Sequence, residues 1–202
     1  MPMSRKRSSR AVFAALLLVL AAAPVRAGDA PTIVSRADWN AKPPSAAMKK
    51  QAPKRILVHH TGSKSHLGAS ILKKMANLQR FSQHKEKLSD GRTKLPWADV
   101  PYHFYIDAEG KIAEGREITA EGDTNTKYDP SGYIQVVLEG NFDVEEPSDA
   151  QIKSLKTLIQ WLSGRYSIDS GDVSYHQAVA QTACPGKNLV ARMKEVKAAL
   201  TE

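Results

Sequence analysis

Two short apolar runs constrain the fold more than any other feature of this 202-residue sequence. Residues 55–60 and 133–139 are each long enough for a buried strand and too short for a helix. Apolar residues recur at helical spacing in the segments that separate and follow these runs, so strands and helices alternate along the chain. The predicted helices are residues 66–86, a helix that begins with the capping box of Ser148 and Gln151, and residues 189–200. This alternation predicts an α/β fold.

A hairpin signal makes the predicted sheet mixed. Residues 102–106 and 111–115 have the composition of strands and flank Asp107-Ala-Glu-Gly110, a turn with its glycine in a late position. Residues 30–53 are rich in Pro and Ala, which predicts an extended segment before the first core strand. The segments predicted as loops are residues 87–99, 119–132 and 176–186, and residues 173–187 show no helical period. The sequence therefore predicts a single α/β domain whose central mixed β-sheet is flanked by helices.

Residues 1–27 have the pattern of a secretory signal peptide: a cationic start, an apolar run over residues 11–23, and Val25-Arg26-Ala27 as a cleavage site. Thirteen apolar residues fall short of the roughly 20 that span a bilayer, so an uncleaved membrane anchor is the weaker alternative. Loss of five basic residues with this segment lowers the net charge from +8 to +3, which argues against nucleic-acid binding. We expect residues 28–202 to act as a periplasmic or secreted monomer without a membrane span.

The chain contains one cysteine, which excludes an intramolecular disulfide, a zinc ribbon and a Cys-x-x-Cys redox site. Reactive side chains concentrate at His59-His60, at Tyr102-His103 and between His176 and Cys184. Two histidines and one cysteine can bind zinc and leave a fourth position open for water. Two other interpretations stay open for Cys184, namely a small buried apolar residue or a thiol nucleophile with His176 as its base. His59 and His60 point to opposite faces of their strand, so only one of them faces a given site.

Four motifs in this order resemble the N-acetylmuramoyl-L-alanine amidase family, in the branch shared by short phage amidases and peptidoglycan recognition proteins. The similarity covers most of residues 33–190, and Ser35-Arg-Ala-Asp-Trp39 is similar to the N-terminal segment of the recognition proteins. The motifs are Ile-Leu-Val-His59-His60-Thr-Gly, Pro-Tyr102-His-Phe-Tyr-Ile-Asp-Ala-Glu-Gly-Lys-Ile-Ala-Glu-Gly-Arg116, Val-Leu-Glu-Gly140-Asn-Phe and His176 followed by Thr182-Ala-Cys184-Pro-Gly.

The resemblance implies a recognition-protein-like fold and a Zn²⁺ ion bound by His59, His176 and Cys184. It implies that Tyr102 is the catalytic tyrosine and that Thr182 occupies a second catalytic position. A sister branch of the family uses a glutamate on the core strand instead of the tyrosine. Val137 stands at that position, so Glu139 is the weaker alternative to Tyr102. Two segments, residues 85–97 and 121–128, depart from the family pattern, and both are expected to border the substrate groove.

The implied activity is zinc-dependent hydrolysis of the amide between N-acetylmuramic acid and L-alanine in peptidoglycan or muropeptides. Residues 55–202 would then form the zinc amidase domain, with residues 28–54 as an extended N-terminal segment. Two alternatives stay open: a binding module that does not cut peptidoglycan, and a zinc endopeptidase that cuts within the stem peptide. Loss of the cysteine ligand usually marks the binding members of the family, so the presence of Cys184 favours the enzyme.

Overall fold

The computed structural model describes residues 30–87, 91 and 93–200; the predicted signal peptide lies outside these residues. Eight strands and three α-helices follow one another along the described chain. The helices are α1 (Ile71–Gln83), α2 (Asp149–Tyr166) and α3 (Lys187–Ala198). The strands are β1 (Ile33–Val34), β2 (Arg55–His60), β3 (Glu86–Lys87), β4 (Thr93–Lys94), β5 (Phe104–Ile106), β6 (Ile112–Glu114), β7 (Tyr133–Leu138) and β8 (Val173–Tyr175).

Six of the strands form one mixed sheet in the order β1-β6-β5-β7-β2-β8, and β3 pairs with β4 separately. Only the β5–β6 hairpin is antiparallel within the six-stranded sheet. The two apolar runs become β7 and β2, which are parallel neighbours in the middle of the sheet. These strands have helices on both faces, which explains why they are apolar nearly throughout. The predicted single α/β domain with a central mixed sheet is confirmed.

Side chains alternate between the two faces of the sheet, so the interior consists of two apolar layers, one on each face. One layer packs helices α2 and α3 against the face that carries Val58 and Val136. The other packs α1 and Trp39 against the face that carries Val137, with Tyr102 at its edge. The predicted capping box is present at the start of α2, where Ser148 Oγ accepts from the Gln151 N–H. Among the described residues, every helix is too short or too polar to cross a bilayer.

The predicted start of the first helix at residue 66 is wrong. Helix α1 begins at Ile71, and Leu67, which continues the helical spacing, is 75% exposed. The preceding backbone is instead held by carboxylates from other elements, because the His66 N–H donates to Glu139 and the Gly68 N–H donates to Glu109. Long-range hydrogen bonds therefore override the local periodicity.

One segment predicted as a loop contains strand residues, and a segment without helical periodicity contains a further strand. Residues 87–99 include most of the β3–β4 hairpin, whose polar two-residue strands give no apolar alternation. This hairpin is fixed by Lys94, a buried ammonium that donates to the carbonyl oxygens of Ser82, His84 and Leu95. Residues 173–187, which show no helical period, include β8, a three-residue edge strand beside β2 and directly before the predicted loop at 176–186.

Candidate metal centre

The parallel pairing of β2 and β8 brings two histidines together. Val58 pairs with Tyr175, and the next residue along each chain segment is a histidine: His59, the second-last residue of β2, and His176, directly after β8. Neighbouring residues of parallel strands in register point to the same face, so the two rings meet with their centroids 4.6 Å apart. Their Nδ1 atoms are 3.2 Å apart.

Cys184 reaches the same place through a turn that follows the His176 segment. The Gln177 N–H donates to the Cys184 carbonyl at 2.8 Å, and the His60 N–H points at Sγ at 3.4 Å. The turn ends at Gly186, which has φ +89° and lies so close to the Phe142 backbone that a Cβ would be 2.4 Å from it. Only glycine fits this approach, which fixes the position of the cysteine in front of helix α3.

The three side chains fit a zinc ion by geometry and by chemistry. Their ligand atoms all lie within 4.8 Å of one another, and Cys184 Sγ is 3.6 Å from His59 Nδ1. A tetrahedral zinc ion with ordinary bond lengths separates two nitrogens by roughly 3.3 Å and nitrogen from sulfur by roughly 3.6 Å. The observed Nδ1–Nδ1 distance of 3.2 Å and Sγ–Nδ1 distance of 3.6 Å match these values.

Burial keeps the three groups uncharged before a cation binds. Desolvation lowers the pKa of His59 well below its usual value and lowers the pKa of His176 to about 4, so both rings are neutral and can donate a lone pair. Desolvation also raises the pKa of the Cys184 thiol to about 12. A thiol nucleophile needs the opposite environment, with a lowered thiol pKa beside a charged imidazole. The electrostatics therefore argue against a thiol nucleophile at Cys184.

Tyr102 lies beside the histidines, with its ring centroid 5.2 Å from that of His59. Desolvation, and secondarily the nearby Cys184, raises the pKa of its phenol, so the hydroxyl keeps its proton at neutral pH. Thr182 is half-buried, and its Oγ1 accepts from the Cys184 N–H at 3.2 Å. Thr182 therefore stabilises the turn that carries the cysteine, and its own hydroxyl proton stays available.

The alternative residue Glu139 lies on the same face of β7 as Val137, but its carboxylate is fully engaged. The Lys74 ammonium is 2.7 Å from Oε2, and the N–H groups of His66 and Ala108 also donate to the carboxylate. These bonds fix the segment before α1 onto the sheet. A carboxylate so occupied is a poor general base compared with a free one.

The neighbouring histidines have structural hydrogen bonds. His60 points to the opposite face from His59, as the alternation predicts, and its Nδ1 accepts from the Phe142 N–H. His103 Nδ1 accepts from the Gln135 N–H, and its Nε2 is 2.9 Å from the Ala120 carbonyl oxygen. Desolvation lowers the pKa of His103 to about 4.

The sequence analysis missed three residues that surround the histidines. Thr126 Oγ1 lies 2.6 Å from His176 Nε2, and the Tyr128 ring packs against the His176 ring. The Tyr128 hydroxyl donates to Gln135, whose side chain also contacts His59. Gln135 could have been found, because it is the one polar residue inside the apolar run of β7. Thr126 and Tyr128 could not, because an aperiodic polar segment does not show which residues point inward.

A neutral His-His-Cys set at the carboxyl end of parallel strands, with a phenol donor beside it, defines a class of candidate metal-dependent hydrolases. The chain belongs to the N-acetylmuramoyl-L-alanine amidase family, whose model matches residues 49–187.

Relatives and solved structures agree with this family. Peptidoglycan-recognition protein SD of Drosophila simulans is 29% identical over 184 residues, covering 89% of this chain and 93% of that protein. The N-acetylmuramoyl-L-alanine amidase LysC of Clostridium intestinale URNW superposes with a TM-score of 0.67 at 26% identity, covering 85% of this chain and 99% of that one. A mutant of Drosophila PGRP-LB in complex with tracheal cytotoxin has a TM-score of 0.64 at 27% identity, covering 80% and 92% of the two chains.

Proposed function

We propose that this protein is a zinc-dependent amidase that hydrolyses the bond between N-acetylmuramic acid and L-alanine in peptidoglycan. The observation that carries the proposal is the convergence of all three ligand atoms, from His59, His176 and Cys184, within 4.8 Å of one another. A protein that only binds peptidoglycan, without hydrolysing it, does not require three metal ligands in this geometry. Membership of the amidase family supports the same conclusion.

In the proposed mechanism, His59 and His176 would hold the metal as neutral imidazoles, and Cys184 would hold it as a thiolate after losing its proton. A zinc ion held there supplies the Lewis acid that polarises the amide and activates water. Tyr102 donates its phenol hydrogen where negative charge develops on the amide oxygen, because its raised pKa keeps the proton in place. The Thr182 hydroxyl adds a second donor from the cysteine turn.

The proposed substrate is peptidoglycan or a soluble muropeptide. The complex of the PGRP-LB mutant with tracheal cytotoxin supports this class of ligand. Such a substrate lies outside the cytoplasm, which agrees with removal of residues 1–27 as a signal peptide and with action as a periplasmic or secreted monomer. The amidase domain is proposed to comprise residues 55–202, preceded by the segment 28–54.

Mass spectrometry of purified peptidoglycan digested with the protein tests the proposed activity. The expected products are intact stem peptides that begin with L-alanine and glycan strands that have lost their peptides. Fragments cut inside the stem peptide would identify an endopeptidase. Peptidoglycan that binds the zinc-loaded protein and is recovered uncut would identify a binding module, and either result would overturn the proposal.

A further inference from the structure

The segment between the β5–β6 hairpin and β7 covers the outer side of His176. Thr126 in this segment is half-buried, and its Oγ1 lies 2.6 Å from His176 Nε2, which is a short hydrogen bond. The Nδ1 atom of the same ring faces His59 Nδ1 at 3.2 Å. His176 therefore presents one nitrogen to the candidate metal position and the other to a threonine hydroxyl.

The direction of this hydrogen bond follows from the chemistry of imidazole. A neutral ring that donates the Nδ1 lone pair to a metal must carry its proton on Nε2. His176 Nε2 then donates to Thr126 Oγ1, and the Thr126 hydroxyl is free to donate to Thr124 Oγ1 at 2.9 Å. Thr124 Oγ1 also accepts from the Thr126 N–H, which fixes the position of Thr126 itself.

Tyr128 fixes the plane of the same ring. Its own ring meets His176 edge-on, with centroids 5.2 Å apart and an interplanar angle of 61°. Tyr128 is held in turn by Tyr133, at 6.0 Å between centroids, and by its hydroxyl, which donates to the buried Gln135 side chain at 3.2 Å. A hydrogen bond at one ring edge and a packed aromatic ring leave His176 little freedom to rotate.

We propose that Thr126 is a positioning residue that fixes the tautomer and orientation of His176, and that Tyr128 holds the ring in that plane. The inference rests on the proposed function, since it concerns the affinity of the zinc site. It assigns a role to a segment, residues 121–128, that departs from the family pattern. Partners of this kind commonly contribute 10–100-fold to metal affinity or activity.

Zinc affinity, measured by competition with a chromophoric chelator, tests the proposal through matched variants. Thr126→Val keeps the side-chain shape and removes the hydroxyl, so we expect a 10–100-fold weaker affinity and an altered Co²⁺ absorption spectrum. Thr126→Ser keeps the hydroxyl and should restore affinity to within about threefold of the wild type. Thr157→Val is the control, because within the part of the chain that the structure describes the Thr157 hydroxyl donates to the Lys153 carbonyl of α2, and the zinc affinity of this variant should be unchanged.

A Thr126→Val protein with wild-type zinc affinity and an unchanged cobalt spectrum would overturn the proposal. A measurement on the wild type covers the case in which that variant does not fold: in the zinc-loaded protein, histidine side-chain ¹⁵N–¹H spectra should show a slowly exchanging proton on His176 Nε2. A proton on Nδ1 instead would also overturn the inference. Failure of the wild-type protein to bind one zinc ion would refute the proposed function itself, which separates the two failures.

Discussion

At the scale of single residues, the candidate site combines buried groups that are all neutral without a cation. Desolvation lowers the pKa values of both histidines and raises the pKa of the Cys184 thiol. The pKa shifts in opposite directions have one cause, because burial disfavours the charged form of each group, the imidazolium of the histidines and the thiolate of the cysteine. A divalent cation reverses this for the thiol, since binding as a ligand stabilises the thiolate. In the proposed function, binding of one zinc ion would therefore release one proton, from Cys184.

Tyr102→Phe is expected to lower turnover while leaving the metal in place. The change removes one hydroxyl and keeps the ring volume, so packing against α1 should hardly alter. Loss of one transition-state donor commonly lowers kcat by about 10²–10³-fold, with less effect on KM. Steady-state kinetics on a soluble muropeptide and zinc content per chain check both parts. Tyr166→Phe, on α2, is the control; normal turnover in Tyr102→Phe would leave Tyr102 with a packing role alone.

Much of the candidate site was predictable at this scale, because its chemistry needs residue types that the chain has in few copies. One cysteine and six histidines leave few ways to assemble three ligands, and the family resemblance pointed to the three that the structure brings together. Of the residues around them, Thr126 and Tyr128 were not predictable. Thr126 acts through a contact across 50 positions of sequence, and nothing in its local sequence distinguishes it from other loop threonines.

At the scale of elements, the two long helices begin in different ways. Helix α2 has a complete capping box between Ser148 and Gln151, and Ser148 Oγ also donates to the Ala108 carbonyl. Helix α1 has Ser70 at its N-cap, but that side chain makes no capping hydrogen bond. The start of α1 is determined by the buried carboxylate of Glu139 rather than by its own cap.

Ser148→Ala is therefore expected to lower the free energy of unfolding by about 1–2 kcal/mol, because it leaves an N-terminal N–H of α2 without a partner. Ser70→Ala, the same substitution at the N-cap of α1, should change it by less than about 0.5 kcal/mol. Urea denaturation of the two variants gives the comparison. Equal losses would mean that the capping box at Ser148 contributes nothing specific. Both variants should keep wild-type turnover, since neither serine lies at the candidate site.

The strands and helices whose sequence pattern lies among neighbouring residues were predicted correctly, and the strands that lack such a pattern were not predicted. The β7 strand, the β5–β6 hairpin and the α2 cap each depend on neighbouring residues in sequence. The β3–β4 hairpin depends on Lys94, whose ammonium donates to the carbonyl groups of Ser82 and His84 at the end of α1 and of Leu95 directly after β4. The edge strand β8 exists only because β2 offers it a partner. The β3–β4 hairpin and β8 both depend on tertiary contacts, which a local sequence pattern does not show.

At the scale of the whole molecule, stability should depend on pH through His103. Its folded-state pKa of about 4 lies below the unfolded value near 6.5, so the unfolded chain binds the proton more readily. The contribution of a neutral His103 is therefore fully present above about pH 6.5 and is lost as the pH falls towards about 4.

When the pH falls from 7.5 to 4.5, the free energy of unfolding of the metal-free wild-type protein should therefore decrease by about 2–3 kcal/mol more than that of His103→Gln. Urea denaturation of both proteins at the two pH values measures it. His59 and His176 are also buried with lowered pKa values, but both proteins contain them, so their effect cancels in the comparison. Parallel losses in the two proteins would show that His103 does not control this dependence.

The most direct test of the proposed amidase activity is to digest purified peptidoglycan and identify the amino acid that carries each newly exposed amino group. A zinc amidase should release L-alanine amino groups in amounts that follow the zinc content. They should disappear after chelation, return when zinc is added back, and be absent with folded Cys184→Ser, because a serine hydroxyl does not ionise near neutral pH as a zinc-bound thiol does. New amino groups on any other amino acid, or undiminished release of alanine amino groups by the metal-free protein, would contradict the proposed zinc-dependent amidase activity.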